Sequence, residues 1–147
     1  MGDINMKINE NIINQLIEKA EESFNQNEIP VSAAILDKDN NIVSVMGNNR
    51  QGSCNVLGHA EINAITDAEK KIGDWRLDGY YMIVTLEPCD MCEVIIKECR
   101  LDHVYYFLPK KSNSQFVNYI SKSELDGYED CKKKLNKLLT VFFDNKR

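Results

Sequence analysis

The sequence predicts an α/β layered domain, in which helices pack on a β-sheet. Apolar residues recur at four-residue spacing in 8–24, which indicates an amphipathic helix. Short apolar runs at 31–36 and 42–46 flank the turn-rich stretch 37–41, which indicates a β-hairpin. Beyond residue 58, segments of helical and strand character alternate, and such alternation is typical of α/β proteins.

The elements beyond the hairpin follow from local patterns. Alanines recur on one side of 59–72, and Gly73 is a natural helix end. Residues 80–86 are rich in β-branched and aromatic side chains, which favour strands. The predicted elements are a helix over 59–72, a strand over 80–86, a helix over 89–99, a strand over 104–108 and a helix over 124–143.

Length and composition bound the class of protein. The 147 residues correspond to one domain, 1–147. We expect no membrane association, because no apolar run approaches the roughly 20 residues that cross a bilayer. Residues 1–10 lack the apolar core of a secretory signal, and five cysteines is an odd number for a disulfide framework. We therefore predict a cytoplasmic protein.

Charge is unevenly distributed along the chain. The net charge of −5 argues against a general nucleic-acid coat protein. Nine of the 18 basic residues, but only five of the 23 acidic ones, lie in 110–147. This asymmetry is compatible with a basic face for an anionic partner, although a solvated helix surface is the simpler interpretation.

Two short motifs predict a metal site. Cys89 and Cys92 are three residues apart, so on a helix they share a face and can bind one ion. A helix N-terminus favours thiolate over thiol. Imidazole nitrogen and thiolate sulfur are the usual ligands of zinc. We predict one zinc ion held by His59, Cys89 and Cys92.

Glu61 is predicted to act beside the metal and not on it. It lies two residues after His59, and residues so spaced do not face one another on a helix. A carboxylate beside a zinc-bound water is suited to be a general base. Three protein ligands leave the fourth position to water, as in catalytic sites. A closed structural site would need a fourth ligand, for which Cys54 is the first candidate and His103 the second.

These motifs support a resemblance to a known family. The pattern H-x-E followed by P-C-x-x-C is a signature of zinc deaminases. With residues 28–31 (EIPV) and 85–89 (TLEPC), the sequence resembles the cytidine-deaminase-like superfamily, and within it the bacterial tRNA-specific adenosine deaminases. The resemblance implies a three-layer α/β/α cytidine-deaminase-like fold with a central mixed sheet, one Zn²⁺ per subunit and a homodimer.

The resemblance also implies an activity. It is the hydrolytic deamination of the wobble adenosine in a tRNA anticodon loop to inosine, with release of ammonia. Glu61 would move the protons, and the backbone N–H near Cys89 would steady the attacking oxygen. Asn48 matches the family's substrate-contacting asparagine by its distance from His59. Asn49 is the rival if the Asn-Arg pair is aligned instead.

Two alternatives remain open at this stage. Residues 56–58 (VLG) and 108–112 (LPKKS) depart from the family pattern in loops that would contact RNA. A free nucleobase or nucleoside deaminase of salvage metabolism, acting on cytosine or guanine, is therefore the second hypothesis. A non-catalytic zinc-stabilised binding module is the third. The basic residues Lys110, Lys111 and 132–134 favour an anionic substrate.

The sequence also predicts whether three residues outside the motifs are exposed or buried. His103 precedes a predicted strand, and we expect it to be a surface or turn residue. We expect Cys99 and Cys131 to be buried thiols on helix faces.

Overall fold

The computed structural model describes residues 7–111 and 114–145. Within them the chain forms four α-helices and five β-strands. The helices are α1 (Glu10–Asn25), α2 (Ala60–Ile72), α3 (Asp90–Glu98) and α4 (Glu129–Asn145). The strands are β1 (Ser32–Leu36), β2 (Ile42–Gly47), β3 (Tyr81–Leu86), β4 (His103–Leu108) and β5 (Lys122–Glu124).

The strands form one mixed sheet with the order β2-β1-β3-β4-β5. Strand β1 runs antiparallel to β2 and to β3, whereas β3, β4 and β5 run parallel to one another. Helices α2 and α3 contribute to the core on one face of the sheet, and α1 and α4 to the core on the other. The predicted three-layer α/β/α fold with a central mixed sheet is confirmed.

Strand β1 shows how the two cores are divided. All five of its residues are buried. Ala33 and Ile35 belong to the core under α2 and α3, and Ala34 and Leu36 to the core under α1 and α4. Successive side chains of a strand point to opposite faces, so a strand covered on both faces is apolar throughout. This is why the sequence shows an apolar run here without alternation.

Helix α1 has the predicted amphipathic character. The Asn9 side chain accepts a hydrogen bond of 2.9 Å from the backbone N–H of Ile12, which caps the first turn. Leu16 and Ala20 are fully buried against the sheet. Among the described residues, none of the helices has both the length and the apolar character that a bilayer span requires.

The predicted boundaries are wrong between β4 and α4. The helix expected over 124–143 begins at Glu129, and a short strand, β5, precedes it. The sequence Lys122-Ser123-Glu124 has no apolar alternation, so its strand conformation comes from pairing with β4 and not from local preference. Gly127, with φ of 84°, adopts the left-handed conformation between the two elements.

The expectation for His103 is also wrong. It is the first residue of β4 and is buried. Its Nε2 lies 2.8 Å from Ser123 Oγ and its Nδ1 contacts Ser121 Oγ, so two serines near β5 hold the ring. Burial lowers the pKa of His103. The predicted burial of Cys99 and Cys131 is confirmed.

Candidate active site

The N-termini of helices α2 and α3 meet at one place, and each begins with an unusual residue. His59 is the N-cap of α2 and Cys89 is the N-cap of α3. N-cap positions normally hold Ser, Thr, Asp or Asn, whose side chains accept backbone N–H groups. Neither side chain caps its own helix here. Both are instead free to contact other groups.

The three predicted ligands lie together. His59 Nδ1 is 3.5 Å from Cys92 Sγ and 3.8 Å from Cys89 Sγ, and one ligand atom from each residue lies within 4.8 Å of the others. Tetrahedral zinc, with bonds of about 2.3 Å to sulfur and about 2.1 Å to nitrogen, requires a separation of about 3.6 Å between sulfur and nitrogen. The donor atoms and their spacing therefore fit zinc.

Neither candidate for a fourth protein ligand joins this group. Within the described residues, the cluster contains no further His, Cys, Asp or Glu. Cys54 is exposed, and its thiol contacts the carbonyl oxygen of Gln51 at 3.7 Å. His103 is held by its two serines at the start of β4. This geometry suits an open coordination position better than a closed structural site.

The two cysteines differ in acidity. The hydrogen bond from the Cys92 thiol lowers the pKa of Cys89 to about 5. The same hydrogen bond, together with burial, raises the pKa of Cys92. The position of Cys89 at the N-terminus of α3, where the helix dipole is positive, also favours its thiolate. A thiolate is the form that binds metal.

Glu61 lies in the first turn of α2 and is only 5% exposed. Burial is the main reason that its pKa is raised from 4.5 to about 7, and the nearby charge of Cys89 adds to the effect. The Cys92 side chain also hydrogen-bonds to the carboxylate. A carboxyl group with a pKa near neutrality can both accept and deliver a proton.

His59, Glu61 and Cys89 line one cavity of about 190 Å³, and Cys92 is buried behind them. A larger groove of about 470 Å³, lined in part by residues of α4, lies next to it and shares Leu86 and Lys110 with it. Besides His59, Glu61 and Cys89, the walls of the smaller cavity are formed by Ile29, Val31, Asn48, Arg50, Leu86, Glu87 and Lys110.

The structure distinguishes Asn48 from Asn49. Asn48 lines the cavity, and its main chain is fixed by hydrogen bonds to Val31 and Ser23. Within the described part of the chain, its side chain makes no hydrogen bond. The Asn49 side chain, in contrast, accepts a hydrogen bond of 2.8 Å from Asn63 and faces away from these walls.

Gly58 permits this loop to close. A Cβ atom there would lie 2.7 Å from Asn49 Oδ1 and 2.8 Å from the Cα of Arg50. Real Cβ atoms essentially never approach other atoms so closely, and the Arg50 backbone cannot easily move. Glycine is therefore needed directly before the first ligand.

Sequence reasoning missed the role of two residues around the site. Arg50 lines the cavity, with Nη1 at 3.5 Å from His59 Nε2. Buried Glu28 accepts hydrogen bonds from the backbone N–H groups of Gln51 and Gly52 at 3.0 and 2.7 Å, and so holds the loop that carries Arg50. From the sequence, residues 28–31 indicate only a family resemblance, because the backbone groups that Glu28 binds lie in a distant loop.

Lys110 was expected to favour an anionic substrate, but its ammonium group is already engaged. It donates to the carbonyl oxygen of Pro88 at 2.9 Å, and its side chain is only 11% exposed. Lys132 likewise donates to the carbonyl oxygen of Leu125. Lys111 is exposed and remains suited to contact an anion.

Fold and site together define a zinc-site domain of the deaminase type, and the chain matches that family directly. Residues 6–108 match the family model described as the cytidine and deoxycytidylate deaminase zinc-binding region. The match covers most of the chain, so the protein belongs to this family. The predicted family membership is confirmed.

Curated relatives narrow the comparison. The chain is 42% identical over 93 residues to a tRNA-specific adenosine deaminase of Rickettsia bellii, a match that covers 63% of this chain and 64% of that protein. It is 38% identical over 92 residues to one from Streptococcus pyogenes serotype M18, covering 63% and 57%. The chain thus spans less than two thirds of the length of these relatives.

Solved structures share the fold. One, from a study of A-to-I editing by tRNA:A34 deaminases, superimposes with a TM-score of 0.78 at 22% identity and covers 89% of this chain and 100% of that one. A guanine deaminase of Bacillus subtilis gives a TM-score of 0.63 at 30% identity, covering 69% and 66%. These likenesses agree with the cytidine-deaminase-like fold.

Proposed function

We propose that this protein is a zinc-dependent hydrolytic deaminase that converts the wobble adenosine of a tRNA to inosine. The observation that carries the proposal is that His59, Cys89 and Cys92 meet beside a cavity that is lined by His59, Cys89 and the buried Glu61. The similarity to tRNA-specific adenosine deaminases at about 40% identity supports the substrate.

The proposed chemistry uses one metal ion and one carboxyl group. Zinc held by His59, Cys89 and Cys92 would supply Lewis acidity, which lowers the pKa of water to near neutrality. Glu61 accepts a proton from the attacking water and delivers it to N1 of the base while the water oxygen bonds to C6. It then carries the remaining proton to the amino group. The bond from C6 to nitrogen breaks, ammonia leaves, and Glu61 returns to its starting state.

Features around the cavity support a substrate larger than a free base. The larger groove along α4 lies next to this cavity and is lined by the exposed Lys111 as well as by Phe143. Arg50 lines the smaller cavity and is exposed. Cations that flank a base pocket suit the phosphates on either side of a flipped nucleotide.

The substrate is tested with a panel of purified compounds. An anticodon stem-loop with adenosine at the wobble position is incubated with the zinc-loaded protein, and nucleosides are quantified by mass spectrometry after digestion. We expect inosine at that position only, and none from a stem-loop whose wobble adenosine is replaced by guanosine. Turnover of free guanine or cytosine without inosine in the stem-loop would favour a salvage deaminase instead.

The two neighbouring asparagines provide a prediction about substrate binding. We expect Asn48→Ala to lower kcat/KM for the stem-loop about 10- to 100-fold with little change in stability, because its free side chain would contact substrate. Asn49→Ala should instead lower the free energy of unfolding by about 1–2 kcal/mol, because Asn63 loses its partner. Steady-state kinetics and urea denaturation of both variants separate the two roles, and the reverse pattern would assign substrate contact to Asn49.

We also propose that the protein is a cytoplasmic homodimer, as the family resemblance implies. Val56 and Leu57, in the loop before His59, are 67% and 44% exposed in the single chain. Neighbouring exposed apolar side chains of this kind favour burial against a partner. Analytical ultracentrifugation tests the dimer. A Leu57→Asp variant should shift it toward monomer, whereas Val117→Asp, at a separate and more exposed position (85% exposed), should not.

A further inference from the structure

A charged cluster lies at the N-terminus of α3, beside the cavity of the candidate active site. Lys122 Nζ is 2.7 Å from Glu87 Oε2 and 2.7 Å from Glu93 Oε2. The Glu93 side chain is only 1% exposed, and those of Glu87 and Lys122 are 14% and 20% exposed. We call Lys122, Glu87, Glu93 and Lys110 the Lys122 cluster.

Lys110 completes the cluster from the end of β4. Its backbone N–H donates to Glu87 Oε1 at 3.2 Å, so both oxygens of that carboxylate are held. Its ammonium group donates to the carbonyl oxygen of Pro88 and lies 3.6 Å from Glu93 Oε2. Lys110 Nζ also lies 3.6 Å from Asp90 Oδ1, so two cations face three carboxylates, of which Glu87 and Glu93 are the more deeply withdrawn from water.

The Lys122 cluster includes residues on both sides of the cysteine pair in the chain. Glu87 and Pro88 directly precede Cys89, and Glu93 directly follows Cys92. Cys89 and Cys92 are themselves only three residues apart, so a small rotation of the first turn of α3 would change the separation of their sulfur atoms. Within residues 7–111 and 114–145, only the ammonium group of Lys122 forms ion pairs with both Glu87 and Glu93.

We propose that Lys122 is a positioning residue of the metal centre. It does not touch the metal ligands but holds Glu87 and Glu93 at a fixed distance, and through them it sets the orientation of Cys89 and Cys92. This role explains why the short strand β5 is built into the sheet beside β4, since that pairing places Lys122 under α3. The proposal rests on the proposed metal site, but not on the substrate.

Removing the ammonium group should disturb the site because of what it leaves behind. A carboxylate that is 1% exposed cannot be solvated when its nearest cation is lost. The first turn of α3 must then shift to bring Glu93 toward water or toward Lys110. Loss of groups that orient metal ligands typically lowers metal affinity 10- to 100-fold.

The test measures zinc affinity by competition with a chromophoric chelator, and geometry by the absorption spectrum of the Co²⁺-substituted protein. For Lys122→Met we expect a zinc dissociation constant raised 10- to 100-fold and an altered Co²⁺ spectrum. Lys122→Arg, which keeps the charge, should restore most of the affinity. Lys71→Met is the matched control, because Lys71 also pairs with a carboxylate, Asp67 at 2.8 Å, but on the exposed surface of α2.

Unchanged zinc affinity and an unchanged Co²⁺ spectrum in Lys122→Met would overturn the proposal, because a merely structural ion pair would affect only the unfolding transition. If Lys122→Met does not fold, Glu87→Gln replaces it, since that variant removes one contact and leaves the Lys122–Glu93 pair. It should weaken zinc binding several-fold, and wild-type affinity would contradict the proposal. Zinc binding is measured without substrate, so failure of the proposed deamination is a separate result.

Discussion

Replacement of Glu61 by glutamine is expected to lower kcat for deamination about 10³-fold while the zinc content of the protein stays unchanged. Glutamine keeps the size and polarity of the side chain but can neither accept nor deliver a proton, and acid–base groups contribute 10²- to 10⁴-fold. Inosine formation under single-turnover conditions and metal analysis of the same preparation give the two values.

Glu69→Gln is the matched control for this experiment. Glu69 lies two turns further along α2 and does not line the cavity. The Glu69→Gln variant should therefore deaminate substrate at the wild-type rate. Activity of Glu61→Gln within tenfold of wild type would exclude Glu61 as the proton carrier.

Glu61→Gln should also make the metal-free protein more stable than wild type at high pH. The pKa of Glu61 is raised from 4.5 to about 7 in the folded state. The protonated Glu61 carboxyl therefore makes its full contribution to the free energy of unfolding below about pH 4.5. This stabilisation is lost as the pH rises through about 7. The rise of the pKa from 4.5 to about 7 corresponds to about 3 kcal/mol in the free energy of unfolding. In urea denaturation with chelator present, the free energy of unfolding of Glu61→Gln should exceed that of wild type by an amount that grows between pH 5 and pH 8. A difference that stays constant over this range would contradict the prediction.

The second large effect is expected at the ligands. Cys89→Ser should weaken zinc binding by more than about 100-fold, because a serine hydroxyl is not ionised at neutral pH and one of three protein ligands is lost. Deamination should disappear with the metal. Zinc content after dialysis against a weak chelator and the dissociation constant from competition are the measurements.

Cys54→Ser provides the control that separates a catalytic from a structural metal site. Cys54 is exposed and lies outside the three-residue cluster. Its replacement should leave zinc affinity and turnover at wild-type values. Loss of zinc from Cys54→Ser would instead indicate a four-ligand structural centre.

Much of the site could be predicted because its chemistry lies in short segments. The spacing of Cys89 and Cys92 places both on one helix face wherever that helix lies, and the type of donor atom selects zinc. The distinction between Asn48 and Asn49 could not be made in this way. It depends on which of them finds a partner, and Asn49 finds Asn63, a residue of α2 that only folding brings near.

The sequence by itself determined the layered α/β class through its periodicity and the family through its motifs, and it predicted three ligands with Glu61 beside them from residue type and spacing, because all of these are local properties. Only the tertiary structure decided that His59 and the cysteines, 30 residues apart in the chain, meet at two helix N-termini. It also decided that Lys122, in a strand with no strand-like sequence, lies under α3. Such contacts depend on strand pairing and burial between distant segments, for which no local pattern in the sequence exists.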